Sequence, residues 1–182
     1  GTSAMAQVVN GDFETGVLAP FTAIETSAYA RVDTVAPHGG TYHFRSYENN
    51  GDGDLSQPLS TIPGTTYTVS AWVRSSDLVG APNNATRLAL GTNPPVTCPA
   101  LTDVYALCTA NFVAQTTNDA LHVYYKTVGG SGTIFVDDIQ ISLTQAPAVV
   151  QPVPTLSTGL LILLSLLLLV GAPNPIHAQT NG

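Results

Sequence analysis

The sequence predicts an all-β chain: an antiparallel jelly-roll β-sandwich, followed by a Pro-rich linker and a short hydrophobic C-terminal helix. Three observations carry this reading. Apolar and polar residues alternate with a period of two in several short runs, clusters of Gly, Pro and Asn separate those runs, and no convincing amphipathic-helix periodicity interrupts them.

The clearest strand is "TTYTVSAWVRS", where Tyr67, Val69, Ala71 and Val73 share one face and Thr68, Ser70, Trp72 and Arg74 the other. "ALHVYYKTV" repeats the pattern, setting Leu121, Val123 and Tyr125 against His122, Tyr124 and Lys126. In "TIFVDDIQISL" the alternation gathers Phe135, Ile139, Ile141 and Leu143 on one face, with Asp137 pointing the same way. Shorter strands are expected at "AQVV", "SAYARVD", "TYHFRSY", "DLSQPLS", "RLALG" and "TANFVAQ", about nine strands in all. The punctuation between them is "APHGG", "NNGDGD", "IPGT" and "TVGGSG", residues that supply tight turns. Residues 1–6 read as a cloning remnant or a processed start, 7–144 as the sandwich, 145–155 as the linker, 156–172 as the hydrophobic segment and 173–182 as a polar tail.

Composition narrows the function. Only 9% of the 182 residues are charged and the formal net charge is -7, a balance that repels a phosphate backbone and argues against nucleic acid as a partner. Cys98 and Cys108 have a spacing unsuited to a zinc knuckle or a redox CxxC pair. A local disulfide is the simpler reading, with two unpaired buried thiols as the alternative; the bond would stabilise the fold by roughly 3 kcal/mol and indicates an extracellular or cell-surface location. A GxSxG elbow is missing, and His38, His43, His122 and His177 have no metal-ligand spacing, so the chain reads as no enzyme.

"VVNGDFETG", "APHGGTYHF", "TIPGTTYTVSAWVRSS" and "IFVDDIQIS", in that order, resemble the carbohydrate-binding modules of the xylan- and glucan-binding type, galactose-binding-like jelly rolls attached to secreted glycosidases and surface proteins. The resemblance spans residues 7 to 144 and implies a noncatalytic module that binds a polysaccharide or other glycan. It also assigns the first and last acidic clusters to a structural calcium ion. Asp12 and Glu14 would meet Asp137, with carbonyls around Gly39 and Gly40 completing an oxygen shell; the alternative is that these acids cap turns. An inward-facing Asp137 left unpaired among Phe135, Ile139 and Ile141 would be costly.

Sugars stack their C–H faces on aromatic rings while polar groups fix the hydroxyls. Trp72, Arg74, His122, Tyr124 and Lys126 are therefore the candidate ligand-binding platform, unless a second sheet covers Trp72 and makes it core. The competing function is a structural or adhesive subunit of an extracellular assembly or filament, self-associating through strand edges or the tail.

From Leu160 to Val170 only Ser165 interrupts the aliphatic residues. A helix over 156–172 would be about 25 Å long, slightly short of a hydrocarbon core of about 30 Å. "VPTLSTGLLILLSLLLLVGA" resembles the bacterial C-terminal sorting signals of the IPTL-CTERM kind, although "PNPIHAQTNG" lacks their basic cluster. A membrane anchor or sorting segment through residues 156–172 is the favoured reading, and packing against a neighbouring subunit the other.

Overall fold

The structure, a computed structural model, describes residues 6–26, 28–49, 51–76, 85–127 and 131–145. The linker from 146 and the hydrophobic segment lie outside the described residues, so the architecture below is that of the sandwich alone.

Ten strands run in order: β1 Thr22–Glu25, β2 Arg31–Asp33, β3 His43–Asn49, β4 Asp52–Pro58, β5 Thr66–Ser76, β6 Ala85–Leu90, β7 Val96–Thr97, β8 Ala106–Val113, β9 Ala120–Lys126 and β10 Ser131–Gln145. They form two five-stranded sheets, β1-β4-β9-β6-β7 (sheet A) and β2-β3-β10-β5-β8 (sheet B), with every pairing antiparallel. The described residues are thus all-β, a β-sandwich as the alternation predicts. The inward faces meet in one core: Tyr67, Val69, Ala71 and Val73 of β5 with Phe44, Ile134 and Val136 from sheet B, against Leu55, Leu88, Leu121, Val123 and Tyr125 from sheet A. A line of rings, Phe21 to Phe13 to Phe44 to Tyr125, runs through it with centroids 5.5–6.1 Å apart.

Three local features differ from expectation. "AQVV" is no strand. The Gln57 side-chain amide takes the place of a partner strand, accepting from Val9 N–H and donating to Val9 O, both at 2.9 Å. Conversely, "TAIE" (β1) and the two-residue β7 were not expected; neither has enough alternation to announce itself.

The third difference matters most. Val136 pairs with Val73 and Asp137 with Trp72, but after a bulge Gln140 pairs with Ser70 and Ile141 with Val69. Asp138 has φ 49°. The extra residue rotates the strand, so Ile134 and Val136 before the bulge, and Ile139 and Ile141 after it, all face the core. Phe135 and Asp137 point to the outer face of sheet B instead, in the company of Arg74 and Trp72. The single apolar face expected from strict alternation does not form. The opening turn locks onto this bulge: Ile139 N–H donates to Gly11 O at 2.9 Å, and a Cβ at Gly11 would stand 2.1 Å from Ile139 O.

Cys98, just after β7, is bonded to Cys108 in β8. The bridge joins an edge of sheet A to an edge of sheet B.

Candidate functional site

The five residues expected to make one platform lie in two sheets. Trp72 and Arg74 are on β5 in sheet B; His122, Tyr124 and Lys126 are on β9 in sheet A. Because both strands turn their apolar faces to the shared core, their polar faces look outward from separate sheets, and the two groups do not meet.

On sheet B, a strap formed by residues 36–39 lies against the β5 residues. The His38 imidazole stacks on Trp72 with centroids 4.0 Å apart and planes 16° from parallel. Arg74 lies 3.7 Å over the Phe135 ring and 5.1 Å from that of Tyr105, and its Nη2 donates to Ala36 O at 3.4 Å. Burial pushes the Tyr105 phenol up to about 12. These contacts use the faces a sugar would need.

Sheet A leaves a polar row open. Register sets Ile24, Asp54, Tyr124, Arg87 and Thr97 side by side across β1, β4, β9, β6 and β7. The next row is Thr22, Ser56, His122 and Ala89. His122 and Tyr124 lie with their rings 2° from parallel and centroids 5.2 Å apart. The Asp54 carboxylate meets His122 Nδ1 at 3.0 and 3.1 Å, which fixes the imidazole, and the Arg87 guanidinium is 5.7 Å from the Tyr124 centroid. Burial raises the Tyr124 phenol, aided by Asp54 and opposed by Arg87. Lys126 pairs with Asp52 at 3.1 Å, and Ile24 stands exposed at the row's end. The row thus offers flat rings, an acceptor, a fork of donors and an apolar flank, with strands as rigid supports.

The proposed calcium ligands also separate. Glu14 reaches the Gly39–Gly40 turn, where its Oε1 accepts Thr41 and Tyr42 N–H at 2.8 Å. A Cβ at Gly40 would lie 2.3 Å from that oxygen, so glycine is required for the approach. Asp137, by contrast, is fully buried beneath the strap, where Oδ2 accepts His38 and Gly39 N–H at 2.9 and 3.1 Å and Oδ1 accepts Asp138 N–H at 2.8 Å. Burial pushes this carboxyl up to about 6 in spite of those bonds. The cost foreseen for an unpaired Asp137 is met by backbone donors on the outer face. Asp12 is exposed and accepts Glu14 N–H within its own turn, at 3.3 Å. Asp138, displaced by the bulge, is the acid that faces Gly39, its Oδ2 3.1 Å from where a Cβ would sit, and it also meets His38 Nδ1 at 2.7 Å. No cluster of three or more His, Cys, Asp or Glu side chains arranged as metal ligands occurs among the described residues. Of the expected set, Glu14 lies against Gly40, Asp137 is occupied by backbone donors, and Asp138 rather than Asp137 lies against Gly39.

Sequence reasoning missed Asp54 and Asp138. "DGDLSQP" alternates well enough to put Asp54 outside, but only strand pairing shows that it faces His122 and Tyr124.

Residues 5–91 match a family model described as a carbohydrate binding domain. No curated protein matches the sequence. The fold is similar to that of TmCBM61 in complex with β-1,4-galactotriose, at 17% identity and TM-score 0.58, covering 77% of this chain and 99% of that one. It is similar, too, to the CBM22-1 xylan-binding domain of Paenibacillus barcinonensis Xyn10C (15% identity, TM-score 0.57, 79% of this chain and 99% of that one). Arabinose-bound MgGH51 α-L-arabinofuranosidase contains a similar portion, at 13% identity and TM-score 0.59, covering 80% of this chain and 28% of that one. The described residues therefore have the β-sandwich fold common to these structures.

Proposed function

We propose that the chain is a noncatalytic glycan-binding module whose ligand lies across the outer face of sheet A, over Tyr124 and His122. The observation that supports this most is the open row Ile24–Asp54–Tyr124–Arg87–Thr97, in which an aromatic face is flanked by an acceptor and a donor fork. The family match over residues 5–91 and the sandwich fold agree with it. Binding fits this face better than hydrolysis does. Its two acids, Asp52 and Asp54, lie on one side of one strand and engage Lys126 and His122, whereas glycoside cleavage needs two carboxyls opposed across a cleft. The test is retention on a panel of insoluble xylans, glucans and galactans: the wild type is held by at least one, and Tyr124→Ala is not. Equal retention of the two proteins on every glycan would refute the assignment.

Two further parts of the reading are proposals of the same kind. A calcium ion held by Glu14, Asp138 and carbonyls of the Gly39–Gly40 turn would tie the opening turn to the β10 bulge, and it would compete with His38 for Asp138. The Cys98–Cys108 bond favours an oxidising, extracellular setting, in which residues 156–172 serve as anchor or sorting segment. No helix among the described residues is long and apolar enough to cross a membrane.

One observation favours the second reading, a structural or adhesive subunit. Edge strand β8, "ALCTANFV", carries no charge or proline and exposes Leu107 and Val113, the kind of edge that pairs with another chain. Defined oligomers or filaments of the full chain that dissolve on Leu107→Lys would support assembly through this edge; a monomer would remove it.

A further inference from the structure

Sheet B carries a second charged face, sharing no residue with the sheet A row. Arg31 and Arg45 are directly paired across β2 and β3, and Arg45, Phe135 and Arg74 continue that row over β10 to β5. Three of the chain's five Lys and Arg residues therefore lie on one outer face of a protein with net charge -7. At the β2–β3 end, Tyr29, Arg31, Arg45 and Tyr47 line a cavity of about 260 Å³.

Among the described ion pairs, the charge in this cavity is not balanced. One carboxylate, Asp33, serves both guanidiniums, and through one oxygen: Oδ2 accepts Arg31 Nε at 3.3 Å, Arg31 Nη2 at 3.1 Å and Arg45 Nη1 at 2.9 Å, while Oδ1 accepts Thr34 N–H at 2.7 Å. A guanidinium has five N–H donors, so most of those on the two arginines have no partner among the described residues and can serve a ligand. Arg31 is 56% exposed and Arg45 28%, and among the described ion pairs these two cations share one anion. Because Asp33 orients both forks, little side-chain freedom is left to lose on binding.

The walls are aromatic. Tyr29 and Tyr47 meet edge to face at 5.7 Å, 54% and 36% exposed, and so present ring surface to the cavity. Tyr29 is held from below: the next residue's N–H, that of Ala30, donates to the Glu25 carboxylate, which also accepts the Tyr125 and Ser46 hydroxyls from the core. The volume lies just under the ~300–1,000 Å³ of pockets for drug-sized ligands, which suits one sugar ring rather than several.

We infer that this cavity binds a carboxylate-bearing sugar, a hexuronate residue, with its acid on the Arg31 and Arg45 forks and its C–H face against Tyr29 and Tyr47. The site would let the module take an acidic polysaccharide, or an acidic branch of a neutral one, independently of the face over Tyr124.

The test is calorimetric titration of the full chain with trigalacturonate, its methyl ester and neutral β-1,4-galactotriose at low salt. Trigalacturonate is expected to bind at least tenfold more tightly than its ester. Arg31→Gln, at an exposed position that leaves Arg45 paired with Asp33, should abolish that preference, and Arg31→Lys should restore part of it. Tyr124→Ala should leave trigalacturonate binding unchanged, which separates this inference from the sheet A reading. Equal binding of acid and ester, full acid preference in a folded Arg31→Gln protein, loss of trigalacturonate binding in Tyr124→Ala, or no binding of trigalacturonate would each overturn it.

Discussion

His43 provides a sharp test of the packing on sheet B. It has no exposed surface, neither ring nitrogen has a hydrogen-bond partner among the described residues, and its ring packs 5.2 Å from that of Phe135. Burial pushes the imidazole down from 6.5 to about 4; Asp33 opposes the shift, and Arg74 and Arg45 add to it. The unfolded chain therefore takes up a proton as pH falls below 6.5, while the folded chain stays neutral until about 4. Stability from this group is complete above 6.5 and is lost across that window. At roughly 1.4 kcal/mol per pH unit the loss amounts to about 3 kcal/mol. Asp137 acts in the opposite sense. Its carboxyl, pushed up from 3.8 to about 6, contributes stability that is full below 3.8 and is lost as pH rises through 6, about 3 kcal/mol by the same conversion. Between pH 4 and 6 the two slopes offset in the wild type. His43→Leu removes one of them. Urea unfolding of both proteins in EDTA, from pH 7 to 4, should show the variant gaining about 3 kcal/mol relative to wild type as the pH falls, because the Asp137 slope is no longer opposed. Curves that stay parallel over the whole range would show that His43 is not held neutral by burial.

Other perturbations have equally definite outcomes. Gly53→Ala would place a Cβ 2.0 Å from Tyr125 Cε2, displacing the ring and its hydroxyl's bond to Glu25; a loss of about 3 kcal/mol is expected in urea unfolding, and a loss under about 1 kcal/mol would contradict the contact. Cys98→Ser/Cys108→Ser should lose about 3 kcal/mol on the chain-entropy model, and the wild type should lose the same in reductant; insensitivity to reductant would mean the staple between sheet edges is dispensable. Calcium should raise the melting temperature over a chelated sample, and Glu14→Gln and Asp138→Asn should each remove that rise; an unchanged melting temperature in the wild type would remove the ion.

How far the sequence reaches can be seen strand by strand. β5 and β9 were legible because each places a small or apolar residue on the core side at every second position, so the outward positions of Trp72 and Tyr124 followed from alternation alone. What alternation cannot convey is which sheet a strand joins, because pairing partners are far apart in sequence. Trp72 and Tyr124 thus looked like one platform, although β10 and β8 flank the first and β4 and β6 the second. In β10 a single residue defeats the rule: Asp138, at φ 49°, shifts the phase, so Asp137 leaves the core face that strict counting gives it and both acids of "DD" meet the His38–Gly39 segment. The opening segment failed differently, since Val8 and Val9 have strand-forming side chains but the backbone of Val9 is tied down by the amide of Gln57. The disulfide was readable because its partners lie close in sequence and no other cysteine competes.

On this reading the face over Tyr124 holds a glycan. It is tested most directly by calorimetric titration of soluble xylan and β-1,4-galactan oligosaccharides into wild type, Tyr124→Ala and Trp72→Ala. At least one neutral oligosaccharide should bind to the wild type and to a folded Trp72→Ala, with a loss of tenfold or more in Tyr124→Ala. Unchanged affinity in Tyr124→Ala, with binding lost in Trp72→Ala, would contradict it and move the site to sheet B.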